Sequence, residues 1–165
     1  MRVVLVRHAE SAPDPDRPSI EWDLSDDGRR AALGIRIDGV TRLLAGPEPR
    51  MSSTLRHLGQ VDVDERLRES DTAGWLADED AFVDAVRRYH AGEPLPGWEP
   101  ASSVVERVTS CFADGVAIAS GGRAISAVVA SLTNADGFEL WRSLAMPHVI
   151  VLDQGERGRW VASTS

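Results

Sequence analysis

Apolar residues along the chain fall into short continuous runs separated by longer amphipathic segments. The first run, Val3 to Val6, ends abruptly in Arg7-His8, so residues 2–6 are predicted to form a short buried strand. A second run, Val116 to Ala119, passes directly into Ser120-Gly121-Gly122-Arg123. We therefore predict two buried strands, each followed at once by polar residues or glycines.

Helices are predicted where apolar residues recur at a helical spacing. Ser25 precedes Asp26-Asp27, which is typical of a helix start with a serine N-cap and carboxylates in the first turn. The apolar residues at 33, 37, 40 and 44 then share one stripe. The helix is therefore expected to run to about Leu44 and to end at Gly46-Pro47.

The remaining segments predict further helices and strands. Ser103 and Glu106 form a capping box at the start of a helix. Other helices are expected at about 51–60, at 78–89, after Arg123, and at 138–144, with strands at 148–152 and 159–162, an extended segment at 61–67, and loops at 11–18 and 92–100.

Strands that alternate with amphipathic helices indicate an α/β fold with helices on both faces of a sheet. We predict a three-layer α/β/α sandwich whose central sheet is mostly parallel, with an antiparallel strand allowed at one edge. A chain of 165 residues is long enough for one domain with a good core, so residues 1–165 are expected to form a single domain.

Composition and charge narrow the choice of partners. The formal net charge of −8 argues against nucleic acid or an anionic membrane as the main partner. Cys111 is the single cysteine and cannot form an internal disulfide, which fits a reducing compartment. The sequence has neither a signal-peptide pattern nor an apolar stretch of the ~20 residues that span a bilayer. We expect a cytoplasmic protein, and nothing in the sequence indicates its oligomeric state.

The candidate chemistry lies at the ends of the two buried strands. Arg7-His8 follows the first strand, and open α/β sheets place their ligand crevices at the carboxyl ends of strands. Ser120-Gly121-Gly122-Arg123 follows the second strand and precedes a helix, an arrangement that presents backbone N–H groups to an anion. The two ends open on one crevice if the strands are parallel neighbours. His8 alone is equally compatible with a nucleophile, a base, a metal ligand or a core residue.

Several segments resemble one family in the right order. Leu5 to Glu10 is similar to the Arg-His-Gly/Ala-Glu signature of the histidine phosphatase superfamily, the phosphoglycerate-mutase-like enzymes. The other matching segments are Asp23 to Gly28, Pro47 to Thr54, Leu67 to Glu69, Phe138 to Trp141, and Met146-Pro147. The short chain most resembles the small phosphatases of that superfamily, including those that act on phosphohistidine proteins, because it lacks room for the insertions of the larger mutases.

The resemblance implies a set of roles. His8 would be the nucleophile that becomes a transient phosphohistidine, and Arg7 and Arg50 would clamp the phosphoryl group, a role that suits the bidentate guanidinium. Glu69 would be the general acid, for which it needs a raised pKa such as burial gives. Gly121 and Gly122 would bind phosphate through backbone N–H groups. No cofactor and no metal ion is implied, because the arginines supply the positive charge.

One position departs from the family pattern. The family has a second histidine in a Ser/Thr-His-Gly turn, and Gly121 stands at that position here. Loss of a preorganised donor to the transition state typically costs ~3 to 4 kcal/mol, on the order of a hundred to a thousandfold in rate. The chain is therefore expected to be a weak phosphatase or a pseudophosphatase that binds a phosphate-bearing ligand without turnover.

Each assignment has a structural alternative at this stage. Arg50 is also compatible with a surface cation, and Glu69 lies in a charged run that is usually solvated. Gly121-Gly122 is as compatible with a simple tight turn as with an anion site. Arg123 is expected at the surface, with the alternative that it turns inward and replaces part of the charge lost with the histidine. The expected ligand is a phosphorylated small molecule or a phosphoprotein.

Overall fold

The computed structural model describes residues 1–73 and 78–164, and in this part of the chain six strands form one sheet. The strands are β1 (Arg2–Arg7), β2 (Arg42–Ala45), β3 (Val61–Val63), β4 (Val116–Ser120), β5 (His148–Gln154) and β6 (Trp160–Thr164). Gly74 and Trp75, at the end of the polar stretch that follows Leu67, lie outside the described residues.

The sheet is mixed, in the order β3-β2-β4-β1-β5-β6. Strands β3, β2, β4 and β1 are mutually parallel, whereas β5 is antiparallel to β1 and β6 is antiparallel to β5. The predicted α/β class with a mostly parallel sheet and an antiparallel edge is confirmed. The antiparallel part comprises two strands rather than one, because the tight turn after Gln154 returns the chain beside β5.

Six α-helices accompany the strands in the described ranges. They are α1 (Asp26–Ala32), α2 (Pro49–Leu55), α3 (Glu79–His90), α4 (Ala101–Thr109), α5 (Gly122–Thr133) and α6 (Gly137–Ser143). Within residues 1–73 and 78–164, none of these helices has the length and apolar character needed to cross a bilayer.

Successive side chains of β1 point to opposite faces of the sheet, and both faces are covered. Val3 and Leu5 belong to a core cluster with residues of α4 and α5. Val4 and Val6 belong to a second cluster on the other face, with Met51 of α2 among its members. All four β1 side chains are at most 1% exposed, which explains the continuous apolar run of this strand.

The helix predicted to run from Ser25 to Leu44 ends at Ala32, so that prediction is wrong beyond its first two turns. Leu33, the first residue of the expected stripe, is 58% exposed. Gly39 has a φ of +71°, which interrupts any helix, and Leu44 lies in β2. The helical spacing of the four apolar residues was coincidental, because Leu44 is buried through the sheet.

Two other expectations near helix starts are wrong. Helix α4 begins at Ala101 after Pro100, so Ser103 lies inside the helix and forms no capping box. Helix α2 spans Pro49–Leu55 rather than 51–60, which places Arg50 in its first turn. Proline at the first helical position explains this early start, since its fixed φ suits a helix and its missing N–H needs no partner there.

Candidate active site

The carboxyl ends of β1 and β4 lie side by side, as the sequence predicts. Arg7 pairs with Ser120 in parallel register, and the backbone N–H of His8 donates to the carbonyl of Ser120 over 3.2 Å. The turn at Gly121 therefore lies next to His8. Arg7-His8 and the segment from Ser120 to Arg123 therefore lie at the same edge of the sheet.

The imidazole of His8 is held in one tautomer. Its side chain is buried, and Nδ1 lies 2.7 Å from the carbonyl oxygen of Ala9. Because a carbonyl only accepts, Nδ1 carries the proton and Nε2 carries the lone pair. Burial lowers the pKa of His8 to about 4, so the ring is neutral at pH 7. A neutral Nε2 lone pair is the form that a nucleophile requires.

Arg50 lies directly against that lone pair. Its Nε donates to His8 Nε2 over 3.3 Å, and its Nη1 donates to the carbonyl of Ser19. Thr54 ties α2 to the segment after β1, because its hydroxyl accepts from Ala9 N and donates to the carbonyl of Arg50. Arg50 is only 8% exposed, so the surface-cation alternative is wrong.

Arg7 supplies a second buried guanidinium. Its Nη1 donates to the carbonyl of Leu144, whereas its Nε is buried and has no hydrogen-bond partner in the part of the chain that the structure describes. A Cβ added at Gly122 would lie 3.0 Å from that Nε, so glycine leaves room for the arginine. Burial lowers the pKa of Arg7, which nevertheless remains a cation at neutral pH.

Glu69 is fully engaged with the start of α5. Its Oε1 accepts from the N–H groups of Ser70 and Ala124 over 2.7 and 2.9 Å, and its Oε2 accepts from Arg123 N over 3.1 Å. Burial alone raises the pKa of Glu69, but the charge of Arg123 and these N–H donors outweigh it, so the pKa lies below its usual value. The raised pKa expected for a general acid is therefore not observed.

The carboxylate of Glu69 also fills the space beside Gly121. A Cβ on Gly121 would lie 2.1 Å from Glu69 Oε2 and 2.9 Å from Glu69 Cβ. The turn Gly121-Gly122 thus does precede an anion-binding helix start, but the anion there is a side chain of the chain itself. A phosphate can bind the N–H groups of Arg123 and Ala124 only after Glu69 has released them.

Arg123 is half-buried rather than free at the surface. Its Nε donates to Ser70 Oγ over 2.8 Å, and its Nη2 donates to the carbonyl of Ser70 over 3.1 Å. The guanidinium lies 5.5 Å from the ring of Phe82 and 5.6 Å from that of Trp98, within cation–π range. Arg123 therefore holds the Glu69-Ser70 segment.

Glu48 is a site residue that the sequence analysis missed. Its side chain lies between the start of α2 and the backbone of Glu69, whose N–H donates to Glu48 Oε1 over 2.9 Å. Glu48 is 4% exposed, and within residues 1–73 and 78–164 its Oε2 has no hydrogen-bond partner. Burial raises the pKa of Glu48. The available signal was its place in Pro47-Glu48-Pro49, two residues before Arg50.

Across residues 1–73 and 78–164, no three or more His, Cys, Asp or Glu side chains converge as metal ligands. The charged groups that act on His8 are instead two guanidinium groups, from Arg7 and Arg50, and the carboxylate of Glu69, whereas Glu48 contacts Arg50 and the backbone of Glu69. Such a group of cations around a neutral imidazole suits a phosphoryl group better than a metal ion.

Comparison with known sequences gives one family. A profile of the histidine phosphatase superfamily (branch 1) matches residues 3–164. None of the curated proteins matches the sequence.

Comparison with solved structures gives neighbours of the same fold. A mycobacterial glucosyl-3-phosphoglycerate phosphatase has a TM-score of 0.71 at 22% identity, covering 99% of this chain and 97% of its own. A phosphoserine phosphatase variant from Entamoeba histolytica, in complex with phosphoserine, has a TM-score of 0.72 at 14% identity, with coverage of 99% and 95%. A protein from Escherichia coli described as a candidate α-ribazole-5′-phosphate phosphatase has a TM-score of 0.67 at 16% identity, with coverage of 99% and 95%.

Proposed function

The chain belongs to branch 1 of the histidine phosphatase superfamily, and we propose that it hydrolyses a phosphomonoester or a phosphoprotein through a phosphohistidine on His8. The observation that carries this proposal is the neutral Nε2 lone pair of a buried imidazole, held beside the guanidinium of Arg50 and near that of Arg7. A nucleophile without a proton and two fixed cations are what phosphoryl transfer requires.

In the first step, His8 Nε2 bonds to phosphorus while the P–O ester bond opposite it breaks. The leaving oxygen takes the electron pair of that bond and departs as an alcohol after it receives a proton from the general acid, the role that the family resemblance gives to Glu69. The Arg50 N–H that now donates to Nε2 turns to a phosphoryl oxygen, and the unpartnered Arg7 Nε donates to another. Charge that spreads over the equatorial oxygens in the transition state then meets donors already in place. The Ala9 carbonyl on Nδ1–H stabilises the ring as it becomes positively charged.

In the second step, water attacks the phosphohistidine and releases inorganic phosphate. The P–N bond breaks and its electron pair returns to Nε2, which restores the neutral ring. No metal ion or organic cofactor has a part in either step. The role predicted for Glu69 as general acid requires it to release the N–H groups of Ser70, Arg123 and Ala124 first. Gly121 and Gly122 remain the predicted phosphate binders, because the N–H groups that Glu69 occupies belong to other residues.

The chemistry of the fold neighbours supports a phosphorylated small molecule as substrate. One is named as acting on glucosyl-3-phosphoglycerate and another holds phosphoserine, both of them phosphomonoesters. The burial of His8 supports the same choice, since a small ester reaches a buried imidazole more easily than a folded phosphoprotein does. The free, buried Cys111 fits action in a reducing compartment such as the cytoplasm.

The test is hydrolysis of 4-nitrophenyl phosphate by the native protein and by His8→Ala. We expect the substitution to abolish turnover, and the native protein to carry a phosphoryl label on His8 that survives base and is lost in acid. His57→Ala is the matched control, because His57 is exposed and contacts the carbonyl of Ile35. Equal activity in the native protein and in His8→Ala would overturn the proposal.

A second candidate function is binding without turnover. Gly121 at the family's histidine position, with Glu69 filling the space, favours a pseudophosphatase that holds a phosphate-bearing ligand. Vanadate or phosphate binding that depends on Arg7 and Arg50, together with no hydrolysis by the native protein, would establish this alternative.

A further inference from the structure

Side chains from other elements hold the backbone on both sides of Glu69. The backbone carbonyls of residues 66–70 all accept hydrogen bonds from such side chains. Arg107 of α4 donates to the carbonyls at 66, 68 and 69, and Ser120 of β4 donates to that at 67. Arg123 of α5 donates to the carbonyl at 70. The position of Glu69 therefore depends on these three side chains.

Arg123 is the one of the three that also contacts the Glu69 carboxylate. Its backbone N–H donates to Glu69 Oε2, while its Nε donates to the buried Oγ of Ser70. Arg107 is paired with the carboxylate of Glu99 over 2.8 Å, which offsets its charge. The contacts of the Arg123 guanidinium are with neutral oxygens and ring faces, so its charge remains available to Glu69.

Two aromatic rings restrict where the Arg123 guanidinium can lie. Phe82 and Trp98, whose ring centroids are 6.4 Å apart, both lie within cation–π range of it. Phe82 also contacts Trp141 of α6 edge-on at 5.9 Å. With two donors engaged by Ser70 and two rings beside it, the guanidinium is a fixed support for the residue that follows Glu69.

The charge of Arg123 acts on Glu69 and on the arginines that are proposed to clamp the phosphoryl group. Burial raises the pKa of Glu69, and the charge of Arg123 is the largest of the influences that lower it. Burial lowers the pKa of both Arg7 and Arg50, whereas the charge of Glu69 raises it and that of Arg123 lowers it. The other charged or titratable groups that interact with Glu69 are His8, Glu48, Tyr89, His90 and Arg107.

We propose that Arg123 is the positioning residue for Glu69, and that it holds the Glu69 carboxylate at the start of α5 until that group is protonated. The inference rests on the proposed phosphatase function, in which Glu69 is the general acid. A protonated carboxyl group has no charge to attract Arg123 and accepts N–H groups more weakly, so protonation frees Glu69 to turn towards the substrate.

The proton of Glu69 then completes the first step. As His8 Nε2 bonds to phosphorus and the P–O ester bond breaks, the leaving oxygen keeps the electron pair of that bond and takes the proton. Glu69 returns to its N–H partners as a carboxylate. Water then gives hydroxide to phosphorus and a proton to Glu69, while the electron pair of the P–N bond returns to Nε2.

The test follows a ratio, kcat/KM for phenyl phosphate divided by kcat/KM for 4-nitrophenyl phosphate, as a function of pH. Phenolate needs a proton to leave and 4-nitrophenolate does not, so the ratio reports the general acid and cancels the titration of His8. In the native protein we expect the ratio to fall as the pH rises through the pKa of Glu69, because only the protonated acid donates.

Arg123→Met removes the charge and both side-chain donors but keeps an unbranched side chain beside the two rings. Loss of a nearby positive charge raises the pKa of a carboxyl group, so the ratio is expected to fall at a higher pH than in the native protein. Its plateau on the acid side is expected to drop by roughly tenfold or more, part of the hundredfold or more that a positioned acid contributes. Arg123→Lys keeps the charge and is expected to return the fall to near the native pH.

Arg87→Met is the matched control. Arg87 is exposed on α3, and its guanidinium lies 4.3 Å from the ring of Phe138 instead of beside Ser70. It is expected to change neither the pH of the fall nor the plateau. A fall at the native pH in Arg123→Met, or a shift of equal size in Arg123→Lys or Arg87→Met, would overturn the assignment.

Ser70→Ala decides the question if Arg123→Met does not fold. It removes only the oxygen that accepts Arg123 Nε and leaves the charge in place. We expect a lower plateau of the ratio, because the support of Glu69 is loosened, with little change in the pH of the fall. A ratio identical to that of the native protein would contradict the positioning role.

The two proposals fail in distinguishable ways. A ratio that does not respond to Arg123, in a protein whose turnover His8→Ala abolishes, would remove the positioning role and leave the phosphohistidine mechanism in place. Hydrolysis that persists in His8→Ala, or is absent from the native protein, would remove both.

Discussion

The side chain of Glu69 fills the space directly beside Gly121. The Glu69 carboxylate lies where a side chain at position 121 would begin, with Oε2 only 2.1 Å from a Cβ built on the glycine. Three backbone N–H groups hold the carboxylate there. The space beside Gly121, where the resemblance predicts the family's second histidine, is therefore not empty, because the carboxylate of Glu69 fills it.

Adding a methyl group at position 121 tests this relationship. Gly121→Ala is expected to lower the free energy of unfolding by about 1–3 kcal/mol, the usual cost of overpacking a tight site, because Glu69 must shift. Removing the Glu69 side chain beyond Cβ should relieve the clash in part. In a double-mutant cycle, Gly121→Ala is thus expected to cost less in the Glu69→Ala background, as measured by urea denaturation. Additive costs would contradict the shared space.

A histidine introduced at position 121 would meet the same Glu69 carboxylate. Gly121→His is expected to displace Glu69 from the start of α5 before any imidazole can reach a phosphoryl group. We therefore expect the single substitution to raise turnover of 4-nitrophenyl phosphate little or not at all. A gain of about a hundredfold, the value of one preorganised donor, would show that Glu69 gives way easily.

Arg50→Lys is expected to reduce kcat/KM by on the order of a hundredfold or more. An ammonium group cannot contact both His8 Nε2 and the Ser19 carbonyl as the guanidinium does. Arg42→Lys is the matched control, since Arg42 is exposed and pairs with Asp62 at the other end of the sheet. Phosphate affinity measured by calorimetry should fall only in Arg50→Lys, and a similar fall in both variants would refute the clamp.

Acid is expected to destabilise the fold between about pH 6.5 and 4. Burial lowers the pKa of His8 and of His90 from 6.5 to about 4, although Glu69 opposes the shift at both imidazoles and Asp136 opposes it at His90. The unfolded chain therefore takes up protons first. The stabilisation is complete above pH 6.5 and is lost as the pH falls towards 4, with a slope of up to about 1.4 kcal/mol per pH unit for each imidazole. Denaturant unfolding across this range measures the slope, which His90→Gln should reduce; an unchanged slope would contradict a neutral His90.

Ser25 and Ser103 both look like N-cap residues in the sequence, but replacing them is expected to change the stability of the protein by different amounts. Ser25 Oγ accepts from Gly28 N over 2.9 Å and caps α1, whereas Ser103 lies inside α4. Ser25→Ala should cost about 1 kcal/mol as the loss of an N-cap, and Ser103→Ala should change stability by less than about 0.5 kcal/mol. Thermal unfolding of both variants distinguishes these values. A larger loss in Ser103→Ala would mean that α4 begins later than Ala101.

The sequence determined the elements whose signals are local. The apolar run of β1 is continuous because both faces of the sheet are covered, and the pattern of alternating strands and helices was enough to predict the α/β class. The N-cap at Ser25 was readable because its hydrogen bond reaches only three residues along the chain. The helical spacing of apolar residues up to Leu44 predicted a helix that is too long, because such a spacing does not show whether a helix or a sheet buries each residue.

The sequence also predicted which candidate residues would meet at one edge. Arg7 and His8 follow β1, and parallel pairing with β4 brings Gly121 beside them. Arg50 could be placed near them only through the family resemblance, because it reaches His8 across 42 residues of chain. Its contact depends on how α2 packs on the sheet.

Only the tertiary structure decided the state of the two acids. Glu69 and Glu48 are 21 residues apart and look equally ionisable in the sequence. Folding gives Glu69 the N–H groups of α5 and the charge of Arg123, and it buries Glu48 with one oxygen unpaired among the described residues. A pKa depends on desolvation and on partners distant in the chain, so the opposite pKa shifts of the two acids follow from packing that no local pattern encodes.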